Sequence, residues 1–220
     1  LFVTSGSQQA FDLLLRIFIE PGDTVCVETP AYPAAIQALR LANAKIMAAP
    51  VDEQGLDVDA LAARLALLPV AQWPKLVYTV PTFSNPCGTL LPAARREALV
   101  RLALQYRFLI VEDDPYGELS FIDDRPPSIY ALGQRIAGDS NPVLYLSSLS
   151  KTVAPALRIG WLIAPSDVLR RCVVAKQTMD LCTSPLAQQI AAEYLGAGRY
   201  PAGVERARTE YQQRMKAMAQ

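Results

Sequence analysis

The chain has 220 residues, 51% hydrophobic and 19% charged, which argues against disorder and is enough to bury the core of one sizeable α/β domain. Its 21 basic and 21 acidic side chains cancel, leaving no electrostatic footprint for nucleic acid or an anionic membrane surface. Histidine is absent and Cys26, Cys87, Cys172 and Cys182 form no C-x-x-C pair, so most zinc sites and every imidazole-dependent catalytic arrangement drop out and no metal is expected.

Scattered cysteines of this kind are expected to be reduced and to fill core or near-core positions. No apolar stretch reaches the ~20 residues that span a bilayer, and no charged-then-apolar signal segment opens the chain, so a cytoplasmic protein is expected. The opening LFVTSGS reads as a strand running straight into a glycine turn, and residues 205–220 read as a helix with no terminating signal. Both ends look cut from a longer protein.

Short apolar runs at residues 2–4, 24–28, 45–50, 76–80, 108–112 and 143–147 predict buried strands. Between them, residues 8–19, 34–42, 58–67 and 93–106 carry apolar side chains at helical spacing. Pro21-Gly22 and Pro92 punctuate the series, and residues 123–128 read as a loop. From about Ser166 the pattern turns helical, with segments 167–180, 185–195 and 203–218, the last leading toward a second domain. Strand–helix alternation predicts an α/β three-layer sandwich with a mostly parallel central sheet.

In such sheets ligands bind beyond the carboxyl ends of the strands. Polar clusters follow five predicted strands: SGSQ at 5–8, TPAY at 29–32, SNPCG at 84–88, EDDPY at 112–116 and SSLSK at 147–151. Singly these are modest signals. SGSQ suits a phosphate at a helix N-terminus but also an ordinary N-cap, NPCG suits a plain turn, and Asp113 and Asp114 suit a loop cap. A lone Lys151 would ordinarily be a solvated surface charge. Here it follows three serines and precedes Arg158 by seven residues. Lysine, arginine, hydroxyls and a helix N-terminus together are what an aldehyde cofactor with a phosphate tail requires.

With these motifs assembled, the chain resembles the fold-type I pyridoxal-phosphate enzymes of the class I/II aminotransferase group. It is most similar to the 2-aminoadipate and kynurenine aminotransferase branch and to the aminotransferase-like domains of GntR/MocR regulators. The resemblance runs from TSGSQQ through EPGD, ETPAYP, NPCG, VEDDPYGEL and SLSK to LRIGW, in family order. It implies that residues 1–195 form the cofactor-binding large domain without its N-terminal part, and that 196–220 begin the helix toward a C-terminal small domain. It further implies that Lys151 holds the cofactor covalently as the Schiff-base lysine and that Asp113, chosen over Asp114 by the D-x-x-Y spacing to Tyr116, pairs with the ring nitrogen. Tyr116 and Asn85 would hydrogen-bond the ring's phenolic oxygen, and Tyr32 would stack on the ring. Gly6, Ser7 and Gln8, with Ser148 and Arg158, would bind the phosphate. Cys87 stands where the family motif carries threonine, a tolerated small residue.

The implied reaction is transamination between an amino acid and a 2-keto acid, in a homodimer. The arginine that grips the substrate carboxylate and a phosphate-binding tyrosine come, in the family, from segments outside these residues. The alternative is the effector-sensing domain of a MocR-type regulator, with nucleic acid bound only through a module upstream. VEDDPYGEL resembles the enzyme branch more, since many regulators carry EDDY followed by an acidic residue. Elimination and decarboxylation use the same lysine and ring electronics, so the scaffold alone does not choose among reactions.

Overall fold

The computed structural model describes residues 1–121 and 125–218. In chain order the elements are β1 (Phe2–Thr4), α1 (Ser7–Phe18), β2 (Thr24–Thr29), α2 (Pro33–Leu41), β3 (Lys45–Asp52), β4 (Gly55–Leu56), α3 (Val58–Leu67) and β5 (Leu76–Thr79). There follow α4 (Ala93–Tyr106), β6 (Leu109–Asp113), α5 (Ile129–Ala137), β7 (Val143–Ser148), β8 (Gly160–Ile163), α6 (Ser166–Met179), α7 (Pro185–Gly196) and α8 (Tyr200–Met218). The strands form one eight-stranded sheet in the order β1-β8-β7-β6-β5-β2-β3-β4. Strands β3, β2, β5, β6 and β7 pair in parallel, and only β8 and β4 run against their neighbours.

The central strands are apolar on both faces, as a sheet covered on both sides requires. Side chains alternate along each: Val25 and Val27 of β2, Tyr78 of β5, Val111 of β6 and Leu144 and Leu146 of β7 join the core beneath α1 and α2. Cys26, Val77, Ile110 and Val143 face the opposite core, beneath α3, α4 and α5. The expected three-layer α/β sandwich is therefore the architecture found. No helix among the described residues is long and apolar enough to cross a membrane.

Local chemistry sets where the helices begin. Asp57 caps α3 by accepting the Ala60 N–H at 2.9 Å, Ser128 accepts that of Ala131 at 3.1 Å to start α5, and Pro33 stands at the first position of α2. Four elements differ from the sequence reading. Strand β4, two residues long, is too short to show a period. Strand β8 was legible only as the motif around Arg158, and α5, interrupted by Gly133, was passed over. Helix α8 starts three residues earlier than predicted, at Tyr200, because Pro201 in a first turn is compatible with a helix. Of the 123–128 loop, residues 125–128 carry no helix or strand and Asp123 and Asp124 lie outside the described residues. The cysteines are unpaired, but only Cys26 and Cys172 are buried; Cys87 and Cys182 are exposed, which corrects their expected core placement.

One buried cation ties the carboxyl ends of β5 and β6 together. Arg96 of α4, 1% exposed, donates to the carbonyls of Leu91 (2.7 Å), Pro81 (2.9 Å) and Pro127 (3.3 Å) and to the Thr82 hydroxyl (3.1 Å). Its guanidinium lies 3.8 Å from Glu112 Oε1. Glu112 in turn accepts the N–H groups of Ile129 and Tyr130, both at 2.8 Å. Burial pushes Glu112 up to about 7 against the pull of those donors and of Arg96. Removing one partner of a buried pair strands the other, so Arg96→Met is expected to lower stability by about 3–5 kcal/mol. A urea unfolding midpoint read against the unaltered protein checks it.

Candidate functional site

At the carboxyl edge of the parallel strands lies a pocket of about 170 Å³. Ser7, Gln8, Tyr32, Asn85, Asp113, Tyr116, Ser148, Lys151 and Arg158 all line it. The tenth residue singled out, Gly6, lies directly beneath the Arg158 guanidinium. Larger cavities exist, one of about 880 Å³ near Thr24 and Lys75 and an apolar one of about 780 Å³ around Trp161 and Leu195. Neither gathers the polar strand ends, so size is a poor guide here and topology the better one.

Asp113 closes β6 on the face shared with Val111, and α1 packs over that face. Its Oδ2 accepts the Tyr78 hydroxyl at 2.8 Å, while Oδ1, fully buried, has no hydrogen-bond partner. Burial raises Asp113 to about 6. The Tyr78 bond pulls it down, as does the Ser7 hydroxyl, which is near enough to act without a well-formed hydrogen bond, and the Asp114 charge pushes it up. Asp114 points the other way, accepting the Tyr145 hydroxyl at 3.3 Å and facing Arg125 at 3.9 Å. Adjacent carboxylates thus serve opposite sides of the chain.

The turn from β1 into α1 is a second wall. Gly6 sits at φ 84°, open to glycine and strained for other residues, and a Cβ there would strike the Arg158 guanidinium. Gly160 of β8 packs behind it, where a Cβ would come within 2.5 Å of the Gly6 carbonyl carbon and 2.6 Å of the Ser7 nitrogen. No side chain caps α1, so its leading N–H groups are available to an anion. Arg158, itself left-handed at φ 51°, donates to the Ser5 carbonyl at 3.3 Å. At the end of β7, Ser148 is buried and accepts the Ser150 N–H at 3.3 Å.

Lys151 is exposed at the mouth, and its amine has no hydrogen bond or ion pair among the described residues. Burial raises the Tyr116 phenol above its ordinary value, as do the Asp113 charge and Tyr32, while the Asn85 side chain lowers it. Asn85 is carried by a loop closed by Ser84 and Thr89, whose hydroxyls lie 2.7 Å apart. Beyond Tyr116 and Lys151 opens a cavity of about 390 Å³ walled by Phe83, Leu119, Phe121 and Tyr211. Phe83 is held at φ 51°, and its ring stacks on Phe121 with centroids 6.4 Å apart.

Sequence reasoning missed Tyr78, which lines the pocket and packs against Phe11 at 4.7 Å between ring centroids. The available signal was a phenol inside a strand expected to be buried, since such a hydroxyl needs a partner. It also missed Gln9, Lys176 and Asp180, which flank the turn from behind.

The family model described as aminotransferase class I and II matches residues 1–220. Aromatic-amino-acid aminotransferase 1 of Thermococcus litoralis is 41% identical over 99% of the chain and 51% of its own length. The uncharacterized HTH-type transcriptional regulator YjiR of Escherichia coli is 37% identical over 98% of the chain and 44% of its own length. The crystal structure of Pyrococcus horikoshii kynurenine aminotransferase, in complex with PMP and with kynurenine as substrate, superposes with TM-score 0.93 at 40% identity. It is matched over 99% of this chain and 53% of that one. The chain spans about half the length of the curated relatives it matches.

Because Asp113 titrates higher when folded than the ordinary 3.8, the folded cofactor-free protein binds more protons than the unfolded chain between those values. Its contribution is therefore complete below pH 4 and is lost as pH rises through about 6. Asp113→Asn is expected to stabilise the cofactor-free protein at pH 7 by up to ~3 kcal/mol relative to its effect at pH 4. Urea titrations of both proteins across that range check it.

Proposed function

This chain belongs to the aminotransferase class I and II family, and on that premise we propose that it binds pyridoxal phosphate and takes part in transamination between an amino acid and a 2-keto acid. The observation that carries this reading is the orphaned, fully buried Oδ1 of Asp113 in a pocket that also holds a partner-free lysine. A protonated ring nitrogen is the donor such an oxygen lacks. The Gly6–Gly160 cradle, which a Cβ on either residue would fill, fits the phosphate end.

When bound, pyridoxal phosphate supplies an aldehyde that condenses with amines and a ring that draws electrons from the Cα of an attached amino acid. Asp113 keeps a proton on the ring nitrogen, and Tyr78 holds that carboxylate in place. Lys151 Nζ would hold the cofactor covalently and, when free, would move a proton at the substrate's Cα. The Tyr116 hydroxyl and Asn85 amide hold the phenolic oxygen, and Tyr32 covers the ring. Gly6, Ser7 and Gln8 with Ser148 and Arg158 receive the phosphate. Residues 1–195 act as the cofactor-binding domain, and in the 196–220 segment α8, Tyr200–Met218, leads toward a smaller one. A cytoplasmic homodimer is part of the proposal, supported by the unpaired cysteines and by exposed Leu181, Leu186 and Ile190.

The aromatic cavity beside Lys151 supports an amino acid with a large apolar side chain. A second reading, the ligand-sensing half of a regulator, is favoured by the similarity to the E. coli protein and shares every cofactor contact. The coding region upstream of Leu1 separates them, since a basic winged-helix segment followed by a linker would make the regulator reading the right one.

Two outcomes are expected of the full-length protein. Borohydride reduction with added pyridoxal phosphate, followed by peptide mass mapping, should place the adduct on Lys151; an adduct confined to Lys45, Lys75, Lys176 or Lys216 would overturn the assignment. Phe83→Ala should lower kcat/KM for phenylalanine about 10-fold to 100-fold while leaving that for alanine nearly unchanged, as steady-state kinetics on the two substrates would record.

A further inference from the structure

We propose that the cluster of Gln9, Lys176 and Asp180 is a positioning device for the anion-binding turn at residues 5–8, acting on affinity for the cofactor's phosphate and not for its ring. The inference rests on the reading of the pocket as a pyridoxal phosphate site. Lys176, on α6, is only 4% exposed although it is a lysine. Its amine donates to Gln9 Oε1 at 2.7 Å and to both Asp180 oxygens at 2.8 Å, which uses all three of its protons. Gln9 is then fixed at both ends of its amide: Nε2 donates to Asp180 Oδ2 at 2.7 Å, and Oε1 also accepts the Ser5 backbone N–H at 2.8 Å. The Ser5 hydroxyl donates to Asp180 Oδ2 at 3.1 Å.

Ser5 is where this cluster meets the pocket. From behind, its N–H and hydroxyl are held by Gln9 and Asp180; from in front, its carbonyl accepts Arg158 at 3.3 Å. The next residue is the left-handed Gly6, after which the open N–H groups of α1 begin. A shift of Ser5 therefore moves both the anchor of the Arg158 guanidinium and the amides aimed at the anion.

Packing alone does not call for this arrangement. A lysine buried between α1 and α6 carries a desolvation cost that an apolar side chain would avoid. Asp180 offsets the charge of Lys176, so the pair adds little field at the pocket and its effect is geometric. Beyond α6 and the loop after it, the cluster's hydrogen bonds among the described residues reach only Ser5, which opens the turn, and Gln9, which follows it. The ring-binding groups Asp113, Tyr116 and Asn85 hang from other strands.

The test compares pyridoxal phosphate with pyridoxal, which has the same aldehyde and ring but no phosphate. Dissociation constants are read in the full-length protein from the absorbance of the Lys151 adduct, for K176M and for Q9A, with urea midpoints alongside. Each variant should weaken pyridoxal phosphate roughly tenfold and pyridoxal by less than about twofold, a selective loss of pre-organised anion binding. Q9A leaves the Lys176–Asp180 pair in place and decides the matter should K176M not fold. Equal weakening of both ligands would show a general structural role and overturn the proposal. An unaltered ratio in the variants, with the parent preferring the phosphorylated form, would overturn it alone. A parent with no such preference would overturn it together with the phosphate reading of the turn.

Discussion

The polar rim of this sheet depends on a guanidinium that never meets solvent. Strands β5 and β6 are covered on both faces, so the carbonyls and carboxylates at their ends emerge where water cannot serve them. Arg96 answers the carbonyls of Pro81, Leu91 and Pro127 and the Thr82 hydroxyl, and it faces Glu112. Only arginine offers five donors in a fixed planar fork. One residue beyond Glu112, Asp113 keeps a buried Oδ1 without a protein partner, as does Asp114 after it.

The pocket divides its labour by strand. Carboxylate and phenols arrive from β5, β6, the loop after β6 and, for Tyr32, the segment after β2; the groups proposed for the phosphate arrive from the β1–α1 turn, the end of β7 and the segment before β8. Tyr78, Asp113 and Ser148 reach the pocket from strands, the placement that keeps such groups accurate, and the others from the turns that follow or precede strands. Lys151 is exposed and its amine has no partner among the described residues, which suits the role proposed for it.

Much of this was legible in the sequence, for reasons that can be traced. Central strands covered on both faces read as continuous apolar runs, which is why residues 76–80 and 108–112 stood out. Strand β8 did not, because its four residues open on a glycine and follow directly on the Arg158 motif. Helix α5 escaped because Gly133 interrupts it; a Cβ there would collide with Asn141. The chemistry-bearing residues were recognisable because they cluster where strands end. Tyr78 was not, since within a strand a tyrosine reads as core. Lys176 was still less so: a helical lysine is ordinarily solvated, and its partner Gln9 lies 167 residues earlier in the chain.

Strand order carries a consequence for how such a chain is made. Of the strands described, β1 leaves the ribosome before the rest, yet its neighbour among the described residues is β8, which itself lies against β7. The Arg158–Ser5 contact likewise spans 153 residues. At synthesis rates of roughly 5–20 residues per second, β1 waits on the order of ten seconds for β8 to pair with. During that interval α1, with its row of buried leucines, has no finished surface to cover. The nascent protein therefore passes through a stage in which the middle of the sheet can be laid down while β1 is still unplaced, and completion of the pocket wall at the β1–α1 turn becomes a late event in its maturation.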